Sequence, residues 1–380
     1  RFNRLDVVLD TPVYGSPHRL SVDTWADLEF MQTLERHLQA EGLAFSLPNA
    51  VDLLNRRPQL KQFNAHVHQR RLVEDVRRVL FAVDVGGPFG YGHFMRCREL
   101  AGQVVERLSW PATFLVDDER AAQMAEACGF GVLWGALGRA PRDDASGRRA
   151  RVNGELASAC DLAVVDIAVR RSLPPGWRDV GFGDRPVVVI DRGDTMAAEA
   201  ELIVFPGVSG RVGLSQSALP PTLEGPEHVI LRREVARYQG LGLAKTIDIL
   251  VYLYDDDPIR QIEEVAAQRG WQVHILNEFG DDFSELLARS RVFISGYGQS
   301  FYEALALQTY PVAWPLSPTH AADAMAFYRA FDLPATVVKA AADIAAIVGA
   351  IKAEPHPLKA VLNDGTARVV EHLRGLLIDR

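Results

Sequence analysis

The residue pair best suited to chemistry is a histidine followed three positions later by an arginine, His93 and Arg96. Residues three apart lie on the same face of an α-helix, so the imidazole and the guanidinium would be neighbours. Histidine can exchange a proton near neutral pH, and arginine can bind a carboxylate or a phosphate. The pair therefore indicates acid–base chemistry on an anionic substrate. A surface histidine in an ordinary turn is an equally good interpretation of the local sequence.

The segment that must position this pair runs from Arg78 to Leu108. It begins with an apolar run, Val79–Val85, typical of a buried parallel strand, and a glycine-rich turn follows. A helical pattern then begins at His93. Glycines let backbone amides approach an anion, and the first turn of a helix favours negative charge. The Lys-Ser/Thr pair of a P-loop is missing, and Met95 replaces the third glycine of a dinucleotide fingerprint, so neither nucleotide motif is predicted.

The segment GYGHFMRCRELA, which begins at Gly90, resembles the opening motif of the UDP-sugar hydrolase of pseudaminic acid biosynthesis. That family reads approximately G-x-G-H-x-x-R-x-x-x-L-A after its first strand. Its relatives include spore-coat polysaccharide proteins and the lipid II N-acetylglucosaminyltransferase. The resemblance implies an α/β fold of the GT-B type, with two facing Rossmann-like domains and an inter-domain cleft. It also implies that His93 and Arg96 are catalytic and that Gly90, Tyr91 and Gly92 contact the sugar.

Three further apolar runs predict buried strands of the same domain, at Ala112–Asp118, Asp161–Ile167 and Arg185–Gly193. Asp166 and Asp191 end two of these strands, at the edge where open α/β sheets bind ligands. Aspartates also commonly punctuate strand–helix turns without any function. The resemblance adds Asp166 to the substrate-binding residues, because an acidic residue follows the same strand in the family. A helix over 118–127 and a mobile polar loop over 139–151 complete the prediction here.

A second glycine- and serine-bearing turn, Ser295–Ser300, follows a strand pattern and precedes a helix predicted to begin at Phe301. Backbone amides and Ser300 suit a phosphate, and Glu303 suits the two hydroxyls of a ribose. Glu303 could instead only complement the helix dipole, an effect worth roughly 0.3–1 kcal/mol. The pattern G-x-S-x-x-E-A resembles the nucleotide-sugar site of the same superfamily, which implies nucleotide binding by Gly298, Ser300 and Glu303.

Two segments depart from the family pattern. His320 and Asp323 stand where relatives present asparagine and glutamine to the donor, and they are predicted to bind substrate. After the strand pattern that begins at Asp248, Tyr254 and the aspartates 255–257 replace two glycines and an acidic residue. Three carboxylates would repel a diphosphate unless a metal intervened. No cofactor is therefore predicted, except for magnesium should this aspartate turn hold one. Arg232 is expected to anchor the inter-domain linker.

Residues 1–75 differ in character from the rest. The sequence RLSVDTWADLEF from Arg19 and the stretch after it resemble the C-terminal tail of spore-coat-type cytidylyltransferases. We expect a short strand, a turn and a helix that starts after Asp23 or Thr24, then a second helix broken at Pro58. Asp23 would face the metal in that family, but the catalytic front half is not in this sequence. A missing N-terminal catalytic domain is expected, and a small helical appendage is the alternative.

Composition limits the function classes. The chain has 380 residues, of which 48% are hydrophobic and 24% are charged, as in an ordinary globular protein. A net charge of −8 argues against a nucleic-acid partner. No apolar run reaches the roughly 18 residues of a membrane span, and the three cysteines have no metal-ligand spacing. A cytoplasmic protein is expected, with domains at 1–75, 76–240 and 241–380.

The resemblance implies an enzyme of surface polysaccharide or nonulosonic acid biosynthesis. The first prediction is inverting hydrolysis of a UDP-sugar with His93 as general base. The alternative is a glycosyltransferase in which the same histidine activates a hydroxyl of a sugar or a lipid-linked acceptor. A third interpretation is a non-catalytic binding or scaffolding domain fused to a cytidylyltransferase.

Overall fold

The computed structural model divides the chain into two compact units, Arg1–Glu74 and Asp75–Arg380. Its description covers residues 18, 20–22, 25–57, 60, 76–86, 90–138, 156, 158–168, 171, 173–194, 196–208, 220–253, 255–277, 280, 282–338, 340–353 and 365–378. Asp23, Tyr254 and the predicted loop over 139–151 lie outside these residues. Among the described residues, no helix is long and apolar enough to cross a membrane.

The described residues of the first unit form two α-helices, α1 (Trp25–Ala40) and α2 (Leu47–Arg56). They pack through a small apolar cluster that includes Phe30, Leu34, Leu38, Ala50, Leu53 and Leu54. Ser46 caps α2 by accepting a hydrogen bond from the backbone of Asn49, and the helix ends before Pro58, as predicted. The expected strand before α1 is wrong for its described residues, because 20–22 form none.

The first sheet of the second unit has seven parallel strands in the order β3-β2-β1-β4-β5-β6-β7. The strands are β1 (Val79–Val83), β2 (Ala112–Val116), β3 (Gly131–Trp134), β4 (Leu162–Asp166), β5 (Val187–Ile190), β6 (Leu202–Phe205) and β7 (Thr222–Glu224). Alternate residues of β1 enter two separate apolar cores, Phe81 on one face and Leu80 on the other. Burial on both faces explains why this strand is an unbroken apolar run.

In the described part of the chain, three α-helices follow strands of this sheet, α3 (Gly92–Leu108), α4 (Glu119–Ala127) and α5 (Trp177–Phe182). We call this sheet with its helices the first lobe. Helix α3 begins at Gly92, one residue before the predicted start. Asp118, which was predicted to lie in the helix, caps α4 by accepting a hydrogen bond from the amide of Ala121 at 2.9 Å.

A short helix, α6 (Arg233–Tyr238), leads to a second parallel sheet. Its strands are β8 (Ile247–Tyr252), β9 (Val273–Ile275), β10 (Ser290–Ser295) and β11 (Tyr310–Ala313), in the order β11-β10-β8-β9. The helices that pack with this sheet are α7 (Asp256–Arg269), α8 (Phe283–Ala288), α9 (Gln299–Ala306), α10 (Pro318–Ala330) and α11 (Ala341–Ala353). This sheet and its helices form the second lobe.

The last helix, α12 (Thr366–Ile378), returns to the first lobe. Val369, Val370 and Leu373 are buried in the same apolar core as α3. The sequence placed all of 241–380 in the second lobe, and this helix is the exception. Its apolar stripe covers α3, the helix that carries His93 and Arg96.

Candidate active site

The glycine turn brings the start of α3 to the end of β1. Gly86 and Gly90 have φ angles of 73° and 66°, which an L side chain rarely adopts, and the amide of Gly86 donates to the carbonyl of Gly90 at 2.9 Å. Strand β4 lies beside β1, with Asp166 in register with Val83. The first turn of α3 and the last residue of β4 therefore meet at the carboxyl edge of the sheet.

His93 and Asp166 form a close pair at this edge. The Nδ1 atom of His93 lies 2.6 Å from the Oδ1 atom of Asp166, whose side chain is fully buried. The sequence indicates both residues, but it places Asp166 among the substrate ligands. In the structure this carboxylate orients the imidazole.

Arg96 lies one turn further along α3 and binds both oxygens of Asp166. Its Nε and Nη2 atoms donate to Oδ2 and Oδ1 at 2.5 and 2.6 Å, and its Nη1 atom donates to Asp191 at 3.2 Å. Two carboxylates therefore already compensate this guanidinium. The sequence predicted that Arg96 would bind an anionic group of the substrate. In the structure its contacts with Asp166 and Asp191 instead let it support the histidine–aspartate pair.

Charge decides which atom of the imidazole carries the proton. Burial alone would raise the pKa of Asp166, but the charges of Arg96 and then His93 outweigh burial and hold that pKa well below its ordinary value. Asp166 is thus an ionised acceptor, so Nδ1 of His93 must be the donor. The 3.1 Å approach of Arg96 Nη2 to Nδ1 is then a contact between two donors. In the neutral imidazole the lone pair is therefore on Nε2, for which no hydrogen bond is found among the described residues.

A cavity of about 100 Å³ lies between the two lobes beside this cluster. Its walls come from both lobes: Arg96, Asp191 and 205–208 from the first lobe, and 297–299, Tyr302, His320 and Asp323 from the second. The structure thus brings together Arg96, Gly298, His320 and Asp323 of the predicted site. His93 and Asp166 adjoin the cavity through Arg96.

Besides His93 and Asp166, five predicted residues lie outside the walls of this cavity: Gly90, Tyr91, Gly92, Ser300 and Glu303. The hydroxyl of Tyr91 donates to Asp118 at 3.0 Å, and Gly92 is the exposed first residue of α3. Ser300 lies in the first turn of α9 and is half-buried. The predicted sugar and nucleotide contacts of these residues stay predictions.

Glu303 has a partner that the sequence did not foresee. Its carboxylate is buried and takes two hydrogen bonds from the guanidinium of Arg232, one of them from Nε at 2.7 Å. The Arg232 guanidinium also lies over the ring of Phe283, 4.4 Å from its centroid. A ribose could reach this carboxylate only by displacing Arg232.

The aspartate turn after β8 serves as a helix start. Asp255 caps α7 by accepting from the amide of Asp257 at 3.1 Å, and the Asp257 carboxylate pairs with Arg260. In the part of the chain that the structure describes, no group of three His, Cys, Asp or Glu side chains could hold a metal ion. Magnesium at this turn stays a prediction.

Sequence reasoning missed the tyrosine cluster that joins the lobes at the cavity. The hydroxyls of Tyr297 and Tyr302 lie 2.7 Å apart, and the amide of Val208 donates to Tyr302 at 2.7 Å. Tyr297 donates to the carbonyl of Val208 at 3.1 Å. Burial raises the pKa of both tyrosines, so both hydroxyls stay protonated at neutral pH. The only sequence feature that could have indicated this cluster was Tyr297, a tyrosine within the turn 295–300.

Comparison with solved structures shows the fold. The glycotransferase of kitacinnamycin matches with a TM-score of 0.53 and 15% identity, covering 80% of this chain and 99% of that one. UGT89C1 from Arabidopsis thaliana matches with a TM-score of 0.54 and 11% identity, over 80% of this chain and 100% of its own. The same Arabidopsis protein in complex with UDP has a TM-score of 0.53 at 11% identity, over the same shares of the two chains. No protein-family model and no curated protein matches this chain. The fold is GT-B, two Rossmann-like lobes that face each other across a cleft, as the sequence predicted.

Proposed function

We propose that residues 75–380 form a nucleotide-sugar-dependent enzyme that transfers a glycosyl group to an oxygen nucleophile, and that this nucleophile is water. The observation that carries the proposal is the His93–Asp166 pair beside the cavity between the lobes. An imidazole whose Nδ1 proton is held by a carboxylate presents a basic Nε2 atom. The same division of roles operates in other histidine–aspartate catalysts.

The reaction follows from this arrangement. Nε2 of His93 takes a proton from water while the water oxygen attacks the anomeric carbon of the sugar. The bond from that carbon to the nucleoside diphosphate breaks, and attack from the opposite side inverts the anomeric configuration. The ionised Asp166 stabilises the imidazolium that forms, and Arg96 keeps Asp166 in place. General-base catalysis of this kind contributes about 10²–10⁴-fold to the rate.

The donor nucleotide is assigned to the second lobe. The first-turn amides of α9 after Gly298, together with the Ser300 hydroxyl, are suited to the diphosphate. UDP is the proposed nucleotide, since the Arabidopsis protein with this fold has been solved with UDP. Glu303 would bind the ribose after Arg232 leaves its carboxylate.

Transfer to an alcohol is the second candidate. The solved proteins with this fold include the glycotransferase of kitacinnamycin, which favours an acceptor hydroxyl in the place of water. Water and an alcohol need the same base, so the geometry of His93 serves both reactions. The acceptor would be a sugar or a lipid-linked sugar.

Calorimetric titration with UDP, CMP and GDP, with and without magnesium, tests the donor site first. A panel of UDP-sugars then tests release of UDP, and proton NMR of the anomeric signal reads the configuration of the product. We expect His93→Ala to lower turnover about 10²–10⁴-fold with unchanged affinity for UDP. Asp179→Asn is the control, because that side chain is 76% exposed and lies on α5.

Each outcome points to one interpretation. UDP release without an acceptor supports hydrolysis, and release only with an added sugar or lipid-linked acceptor supports transfer. Binding that requires magnesium would give the aspartate turn a metal-holding role. Failure to bind any of the three nucleotides would overturn both enzymatic proposals and favour a binding or scaffolding domain.

A further inference from the structure

Asp191 has no part in the reaction proposed above, yet it contacts the guanidinium that supports the catalytic pair. We propose that Asp191 is a positioning residue that compensates the charge of Arg96, so that the charge of Asp166 remains available to the imidazolium of His93. The inference rests on the proposed function for its catalytic meaning, but the electrostatic coupling itself can be measured without turnover.

The geometry is a chain of four charged or titratable groups. Asp191 lies 3.2 Å from Nη1 of Arg96. Arg96 donates two hydrogen bonds to Asp166, of 2.5 and 2.6 Å. Asp166 in turn lies 2.6 Å from Nδ1 of His93. The Asp166 side chain is fully buried, whereas that of Asp191 is 33% exposed and lines the cavity. Arg96 lines the cavity too, but its side chain is only 10% exposed, so Asp191 is the member of the chain most open to a ligand there.

Counting charges shows what Asp191 adds. The bidentate Arg96 and Asp166 cancel each other, so with a neutral His93 these three residues have no net charge. Asp191 brings the cluster to −1, and proton uptake by His93 then brings it to zero. Without Asp191, the same proton would leave the cluster at +1 in a largely buried place, where charges are poorly screened.

Other titratable and charged groups also face the cluster. On the same helix, burial and then Asp166 raise the pKa of the Cys97 thiol, which is therefore neutral. Asp118 contacts Tyr91 just before α3, and the guanidinium of Arg120 lies over the Tyr91 ring. The second lobe contributes His320 and Asp323 to the cavity, together with the two tyrosines, which are protonated.

The backbone at this position makes a clean substitution available. Asp191 has a φ of 59°, in the left-handed region where glycine, asparagine and aspartate are the residues most often found. Asp191→Asn keeps the shape of the side chain and suits the same backbone while it removes the charge. Asp191→Gly removes the charge as well and is the second variant should the first fail to fold. Asp179→Asn removes one exposed carboxylate of the same unit and is the matched control.

NMR titration of the His93 imidazole in the full chain, without substrate, tests the coupling; His93→Gln identifies the signal. In Asp191→Asn we expect the midpoint of this titration to fall by about one pH unit, with no change in Asp179→Asn. In the enzyme assay, the acid limb of the kcat/KM profile should move by the same amount, with unchanged affinity for UDP.

The two proposals can fail separately. An unchanged His93 titration in Asp191→Asn would overturn the role of Asp191, whatever the activity of the protein. A shifted titration in a chain that releases no UDP from any UDP-sugar would support the coupling and overturn the proposed function.

Discussion

At the scale of single residues, the candidate site depends on one buried carboxylate. Asp166 orients His93 and binds Arg96 with both oxygens, so replacing it leaves a buried guanidinium with one carboxylate fewer. We expect Asp166→Asn to lower the free energy of unfolding at pH 7 by about 3 kcal/mol, the range in which broken buried ion pairs fall. Urea unfolding checks this, with Asp179→Asn as the exposed control that should stay within about 0.5 kcal/mol of the parent.

The direction of the pKa shift of Asp166 determines how the stability lost in Asp166→Asn depends on pH. The pKa of Asp166 is held below its value in the unfolded chain, which is about 3.9. Its stabilisation is therefore complete above that pH and is lost as the pH falls further. The difference between parent and Asp166→Asn should shrink as the pH falls from about 4 to about 2. A difference that stays constant over this range would contradict the ionised pair.

Sequence could supply only part of this site. The spacing of His93 and Arg96 is enough to place them on one helix face, so the sequence alone indicates both residues. The partner carboxylate lies 73 positions from His93, and only the order of the strands shows that β4 lies beside β1. The pairing of Glu303 with Arg232 could not be predicted from the sequence either, because the two residues lie 71 positions apart in different elements.

At the scale of elements, one close backbone approach fixes the start of α12. A Cβ atom added to Gly365 would lie 2.7 Å from the Cα atom of His228 and closer still to the carbonyl oxygen of Glu227. The amide of Gly365 also donates to the carbonyl of Val229 at 2.7 Å. Backbone atoms cannot move aside as a flexible side chain can, so we expect Gly365→Ala to destabilise the protein by about 1–3 kcal/mol.

A second glycine provides the matched control for this substitution. Gly349 lies within α11, and a Cβ atom there would meet nothing within 4 Å. Gly349→Ala should therefore stabilise the protein by about 0.5–1 kcal/mol through helix propensity alone. Thermal unfolding of the two variants should shift the midpoint in opposite directions. A neutral Gly365→Ala would contradict the close contact that holds α12 against the first lobe.

Apolar runs predicted four of the buried strands of the first sheet, but β6 was missed although it is also fully buried. The runs in β1, β2, β4 and β5 are apolar because helices cover both faces of the sheet, and each was predicted within a few residues. β7 was missed because it has three residues at the edge of the sheet with little burial. β3 was missed because it is four residues long and partly exposed.

At the scale of the whole second unit, the lobes are joined by contacts that no local pattern marks. The tyrosine cluster at Val208 and the buried pair of Arg232 with Glu303 both cross from one lobe or its linker to the other. The packing of α12 against α3 is likewise not marked by any local pattern. Such pairings depend on the path of the chain in three dimensions, and the spacing of residues along the sequence does not specify that path.

The Arg232–Glu303 pair allows a structural role to be separated from a ligand-binding role. Breaking a buried pair from one side leaves a charge without its partner, so Arg232→Met and Glu303→Leu should each cost about 3–5 kcal/mol. Replacing both residues by apolar ones removes both charges at once, so the double variant should recover to within about 1 kcal/mol of the parent. Denaturant unfolding of the four proteins measures this coupling, and additive costs would contradict a mutually dependent pair.

Calorimetric titration of the stable double variant with UDP then tests whether Glu303 binds the ligand. We expect loss of UDP binding because the proposed ribose carboxylate is gone, and retained affinity would mean that Glu303 serves only to hold Arg232.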